Sequence, residues 1–145
     1  RRKTPSALLW LFGTGVLFER MREKARQLGI EEAVTFFGVV KNMDEMWQAM
    51  DVLVMPALHE GLPVAGIEAQ ASGLPCIFSD TITREVDVSG TSVFLPLASG
   101  PQAWADAVLA LRDQKRADQT EKLKRSRYDI HQMADTISAH YLNLM

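Results

Sequence analysis

Apolar residues along the chain follow two alternating rhythms. Ala7-Leu8-Leu9-Trp10-Leu11-Phe12 is an unbroken apolar run ended by Gly13, which predicts a strand buried on both faces. From Val16 onward apolar residues recur at Leu17, Met21, Ala25 and Leu28 with charges between them, which predicts an amphipathic helix stopped by Gly29. Val34-Thr35-Phe36-Phe37 before Gly38 predicts a second strand, and Asn42 or Asp44 is placed to cap a short helix through Met50. A third strand is expected over 52–55, ended by Pro56, and a helix over 63–72, with Pro63 at its first position and Gly73 just past its end. Further strands are expected over 75–78 and 93–95, and helices over 101–112, 115–127 and 131–143.

Buried strands alternating with amphipathic helices predict β-α units: an α/β fold with a Rossmann-like, mainly parallel sheet and helices on both faces. Such sheets bind ligands beyond the carboxyl ends of their strands. Three loops then share one functional edge: Gly13-Thr14-Gly15, Gly38-Val39-Val40, and the segment from Pro56 to Pro63. With 145 residues, no internal repeat and no linker, the chain is expected to be one domain, closed by helices over 115–145.

Composition narrows the function. A net charge of -2 argues against a general nucleic-acid binder, which needs a clustered basic surface. The basic residues between 115 and 127 are interspersed with Asp118 and Glu121 and flanked by Asp113 and Asp129, as on a solvated helix face. Cys76 is the only cysteine, so an intrachain disulfide is excluded. No apolar run approaches the roughly 18 residues of a membrane-spanning helix. The basic start, Arg1-Arg2-Lys3, leads into a strand pattern rather than a signal peptide. A cytoplasmic domain without a transmembrane segment or a metal-ligand cluster is expected.

The segment richest in chemistry is Pro56-Ala57-Leu58-His59-Glu60-Gly61-Leu62-Pro63-Val64-Ala65-Gly66-Ile67-Glu68-Ala69. Glu68 follows Glu60 by eight positions, which on a continuous helix would place it about 80° round the axis, so both carboxylates could face one cleft. The free N–H groups of the first helical turn between them would suit a phosphate. Taken alone, both glutamates read first as ordinary solvated surface residues. His59 reads as a loop surface histidine, and His131 and His140 as structural or solvated residues of terminal helices. Cys76 reads as a buried thiol, Trp47 and Trp104 as core. Asp80 and Glu85 read either as a pin on the following turn or as part of the site.

The whole pattern resembles the family-4 retaining glycosyltransferases, whose donor-binding domain carries two glutamates separated by seven residues. The resemblance runs from about Leu8 to Leu95. It includes Gly13-Thr14-Gly15, Val34-Thr35-Phe36-Phe37-Gly38, the stretch Ala49 to Pro56, Glu60-Gly61-Leu62-Pro63, Glu68-Ala69-Gln70-Ala71-Ser72-Gly73-Leu74-Pro75, then Asp80 and Glu85. The run from Ile67 to Val86 is most similar to enzymes of bacterial capsule and exopolysaccharide assembly, although many relatives carry Gly-Gly where this chain has Thr81-Ile82-Thr83.

That resemblance implies the C-terminal, donor-binding half of a GT-B fold and roles residue by residue. Glu60 would approach the donor-sugar hydroxyls as the catalytic-site carboxylate. Backbone at Gly61, Leu62, Pro63 and Val64 would line the sugar and diphosphate, and Glu68 would accept the ribose hydroxyls. Gly38, Val39 and Val40 would hold the base, while Gly13 and Gly15 would let backbone approach the ligand. The implied reaction transfers a sugar with retention, without metal or cofactor, from a nucleoside diphosphate sugar, by default a UDP-sugar. The acceptor would be a glycan or lipid-linked sugar held by an N-terminal domain, with the parent enzyme peripheral at the inner membrane face. Relatives begin this domain with a β-α unit carrying Gly-Arg and Lys-Gly, and this chain matches from the second strand. Without that unit, strand edges would pair directly, recruit another chain into an oligomer, or stay open, and the chain alone is expected to transfer nothing. Arg1, Arg2 and Lys3 receive no role. Two other readings stay open: a non-catalytic nucleotide-sugar-binding or interaction domain, and a sugar-nucleotide epimerase of the same architecture. A dehydrogenase fits poorly, because Gly13-Thr14-Gly15 lacks the third glycine of a dinucleotide fingerprint.

Overall fold

A computed structural model describes residues 4–143; Arg1 to Lys3, and the ends of the expected 1–145 domain, lie outside them. The chain forms two compact units, one up to Met43 and one from Asp44.

In the first unit β1 (Leu9–Phe12) pairs in parallel with β2 (Val34–Gly38), and α1 (Phe18–Gln27) connects them. A 3₁₀ turn at Glu31–Ala33 leads into β2. The two-residue period sorts the side chains between faces. On one face Leu11 lies opposite Phe36, whose ring meets Phe18 of α1 with centroids 5.4 Å apart. Trp10, Phe12 and Phe37 cluster on the other, with Phe12 and Phe37 stacked at 5.0 Å. The burial of β1 on both faces expected from its apolar run does not hold: Leu9 is 48% exposed. A two-stranded sheet covered by one helix has too few neighbours to enclose a strand.

In the second unit α2 (Met43–Gln48) precedes a parallel sheet in the order β3 (Leu53–Met55), β4 (Cys76–Ser79), β5 (Val93–Leu95). Every residue of the central β4 is buried. Around it lie Ile67 and Ala69 of α3 (Val64–Ala71), Leu74, Ile82 and Val86, with Trp47 and Trp104 buried as expected. Gly66 belongs to this packing: a Cβ there would meet Phe78 and Val86 at 2.9 Å, so only glycine allows so close an approach. After β5 come α4 (Gly100–Leu111), α5 (Thr120–Lys124) and α6 (Ile130–Leu142).

All three strand pairings are parallel, as the β-α rhythm requires, but they form two sheets rather than one. Among the described residues β1 pairs only with β2, and β3 only with β4. The helix expected over 115–127 shrinks to Thr120–Lys124. Asp118 Oδ1 accepts from Thr120 N at 2.9 Å, a turn that competes with helical hydrogen bonding, and hydrogen bonding from Thr120, by its side chain first and its backbone second, lowers the carboxyl pKa. Arg116 meanwhile reaches the ends of other helices. Its guanidinium donates to the carbonyls of Trp47 (2.6 Å), Gln48 (3.1 Å) and Met50 (2.6 Å) after α2, and to Ser72 O (2.8 Å) after α3. No helix among the described residues is long and apolar enough to cross a membrane.

Candidate functional site

The loop from Pro56 to Pro63 leaves the carboxyl end of β3 and runs into α3, as the chain pattern predicts. Pro63 precedes the helix with extended backbone (φ -73°, ψ 106°), one position earlier than expected. Its side chain accepts no hydrogen bond from the first turn. Gly66 N donates to Pro63 O at 2.9 Å, while the N–H groups of Val64 and Ala65 have no helical partner by geometry, and no acidic residue occupies that turn. An anion there would meet free donors and the positive end of the helix dipole.

Glu60 and Glu68 are both exposed, and neither carboxylate engages a hydrogen bond or ion pair among the described residues. Their relation is not the helical one derived above. Glu60 lies four residues before the first helical residue, Val64, so the loop path and not the helix period places it. Glu68 is on the solvent side of α3, whose opposite side buries Gly66, Ile67, Ala69 and Gln70. Of the remaining predicted positions, Gly61 and Val64 are exposed, Leu62 is half-buried and Pro63 is buried.

Three polar residues without an expected role support this edge. Gln70, 1% exposed, donates through Nε2 to Gly66 O (2.8 Å) and Val86 O (2.7 Å) and accepts from Ser89 N (3.0 Å). It ties the segment after β4 to the helix that carries Glu68. Asp87 Oδ1 accepts from the amides of Gly90 (3.0 Å) and Ser92 (3.2 Å), closing the turn before β5. Ser79, at the end of β4, donates to Ala57 O in the Glu60 loop at 2.6 Å. The contacts Gln70 makes with Val86 and Ser89, and the Ser79 contact, cross sequence separations of 16 to 22 residues, and no local pattern announces them.

Of the pair Asp80 and Glu85, neither pins the following turn as a cap. That role falls to Thr83, which accepts from Glu85 N at the start of the 3₁₀ turn Arg84–Val86. Glu85 instead pairs with Arg127 at 3.9 Å, with both side chains largely exposed. His59, His131 and His140 are exposed. Cys76 is buried, and loss of solvation, with the Asp87 charge adding to it, pushes its thiol up to about 12.

In the first unit Gly13 and Gly38 sit side by side at the carboxyl ends of β1 and β2, and Gly13 N donates to Gly38 O at 2.6 Å. Both take positive φ (103° and 68°), which a side chain would oppose. Gly15 has no such requirement, and a Cβ there would meet open space. Val39 is 78% exposed and Val40 half-buried. Two concavities of this unit, lined by residues of α1, the 3₁₀ turn and β2, include none of these positions.

Comparison with known proteins fits this arrangement. The family profile described as "Glycosyl transferases group 1" matches residues 1–114. The putative glycosyltransferase EpsF of Bacillus subtilis (strain 168) is 45% identical over 101 residues, 69% of this chain and 26% of that protein. The Vi polysaccharide biosynthesis protein VipC/TviE of Salmonella typhi is 34% identical over 92 residues, 63% of this chain and 16% of that protein. Anabaena Alr3699/HepE, solved in complex with UDP, superposes with a TM-score of 0.71 at 17% identity, covering 94% of this chain and 42% of that one. The chain thus spans about a quarter of EpsF and less than half of HepE. The fold is that of part of a GT-B glycosyltransferase, and the chain belongs to the glycosyl transferases of group 1.

Proposed function

We propose that residues 1–145 are the donor-binding domain of a retaining glycosyltransferase, with 115–145 as its closing helices. The donor is a nucleoside diphosphate sugar, a UDP-sugar by preference, and the acceptor is a growing polysaccharide or a lipid-linked sugar. The observation that carries the proposal is the edge built by the loop from Pro56 and the start of α3: two exposed, unengaged carboxylates flank a helix N-terminus whose donors have no side-chain cap. A diphosphate would accept from the amides of Val64 and Ala65. Glu68 would take the ribose hydroxyls and Glu60 the sugar hydroxyls. Gly13, Gly15, Gly38, Val39 and Val40 would serve the nucleotide through backbone. The UDP bound by HepE and the polysaccharide role in the name of the Salmonella relative support the donor base and the acceptor class.

We take retention to come from a same-face substitution, in which this half contributes by binding and orienting the donor. Glu60 would hold the sugar ring in the reactive pose, and the helix amides would stabilise negative charge on the departing diphosphate. The test is calorimetric titration of the full-length protein with UDP, GDP and NAD. Binding of UDP, weakened about tenfold or more in Glu68→Ala through loss of charged hydrogen bonds, is expected. Preference for NAD, or UDP affinity unchanged in the variant, would refute the assignment.

A further inference from the structure

Ala57 is the second residue beyond β3, at the root of the loop that carries Glu60. Its carbonyl oxygen is held from two sides: Ser79 Oγ donates at 2.6 Å and Thr81 Oγ1 at 2.7 Å. The two hydroxyl oxygens are themselves 2.9 Å apart. Three oxygens in mutual contact share two hydroxyl protons, and a carbonyl has two lone pairs. With both protons on Ala57 O that acceptor is saturated, and the third side of the triangle is a bare oxygen contact. Ser79 belongs to the fully buried central strand, which makes it a fixed point. The loop beyond has little of its own to hold it: Leu58, His59, Glu60 and Gly61 are all exposed, and the side chains of His59 and Glu60 engage no partner among the described residues.

We infer that Ser79 and Thr81 are positioning residues for the sugar end of the donor site, clasping Ala57 so that Glu60 is held where a hexosyl group will meet it. This rests on the donor reading of Glu60. Neither hydroxyl touches the donor. Each acts through the loop, so its loss loosens the carboxylate rather than removing a contact. The nucleotide end depends on Glu68 and the α3 amides, which are anchored separately by Gln70, so the two ends of the donor respond differently.

The experiment measures, on the full-length protein, dissociation constants for UDP and for UDP-glucose, UDP-galactose and UDP-N-acetylglucosamine. Thr81 is exposed, so Thr81→Val removes the hydroxyl at nearly constant shape without opening the core. Its expected effect is UDP affinity within twofold of wild type and about tenfold weaker binding of the preferred UDP-sugar, the size expected when a positioning contact is lost. Thr81→Ser restores the hydroxyl and is expected to restore the sugar affinity. A merely structural role would move the melting temperature and both ligands together. Equal losses for UDP and UDP-sugar, no loss in Thr81→Val, or no rescue by serine would overturn the inference while leaving the donor site standing. Wild-type protein that binds no UDP, or binds UDP and none of the sugars, would remove the donor reading itself and this inference with it.

Discussion

Arg116 offers the most direct check on how the second unit holds together. Its guanidinium satisfies four backbone carbonyls, those of Trp47, Gln48, Met50 and Ser72, at the carboxyl ends of α2 and α3. Those carbonyls have no helical partners and sit at the negative ends of two helix dipoles. Arg116→Met keeps most of the aliphatic stem and deletes all four bonds, one from Nη1 and three shared by Nη2. A charged hydrogen bond contributes about 1.5 kcal/mol or more when water is excluded, but the arginine is exposed and water competes for its partners. Discounting each bond to about 0.5–1 kcal/mol gives a loss of about 2–4 kcal/mol for the four. In a chain of this size that lowers Tm by about 6–14 °C. Arg116→Lys keeps the charge without the planar fork and is expected to recover about half. Urea unfolding followed by tryptophan fluorescence, with Trp47 beside the lost bonds, reads both variants. A methionine variant within about 0.5 kcal/mol of wild type would show that water replaces the clasp at no cost, and the reasoning would fail.

Two further outcomes follow from the core. Gly66→Ala places a methyl 2.9 Å from Phe78 and Val86 and is expected to destabilise by about 1–2 kcal/mol despite alanine's better helix propensity; a urea midpoint at or above wild type would contradict this packing. The raised thiol pKa of Cys76, about 12 against about 8.5 in the unfolded chain, confers stability that is intact below the unfolded value and is lost as pH rises from there toward 12. The stability of wild type relative to Cys76→Val should therefore fall by about 1.4 kcal/mol per pH unit above pH 9, and a flat difference between pH 8 and 10.5 would show that the thiol is not sheltered.

The strands were legible because each apolar run is bounded by glycine or proline, as with Phe12 before Gly13 and Met55 before Pro56. Burial was not, since it depends on what covers a strand: the same kind of run is sealed in β4 and half open in β1. Spacing and motif are what single out Glu60 and Glu68 as candidates, yet the helical angle between them was misplaced because α3 begins only after Glu60. Gln70, Ser79 and Arg116 act through contacts between residues far apart in sequence, and a periodicity argument has no access to those. Thr83 as the cap of Arg84–Val86 could have been seen, because a threonine ahead of a charged turn is a local signal.

The all-parallel pairing carries a consequence for how the chain reaches its fold. Leu53 meets Cys76, Ile77 meets Val93 and Leu9 meets Val34, so no pairing closes across fewer than 16 residues and no hairpin can seed a sheet. Each strand must wait for an intervening segment to be turned back upon it, a helix before β2 and β4 and the 3₁₀ turn before β5, a costly closure before any ladder forms. Emerging from a ribosome, β3 would stand unpaired until β4 followed. The slow step should then be the arrival of Ile77 and Phe78, the point at which α3, β3 and β5 first acquire a common neighbour.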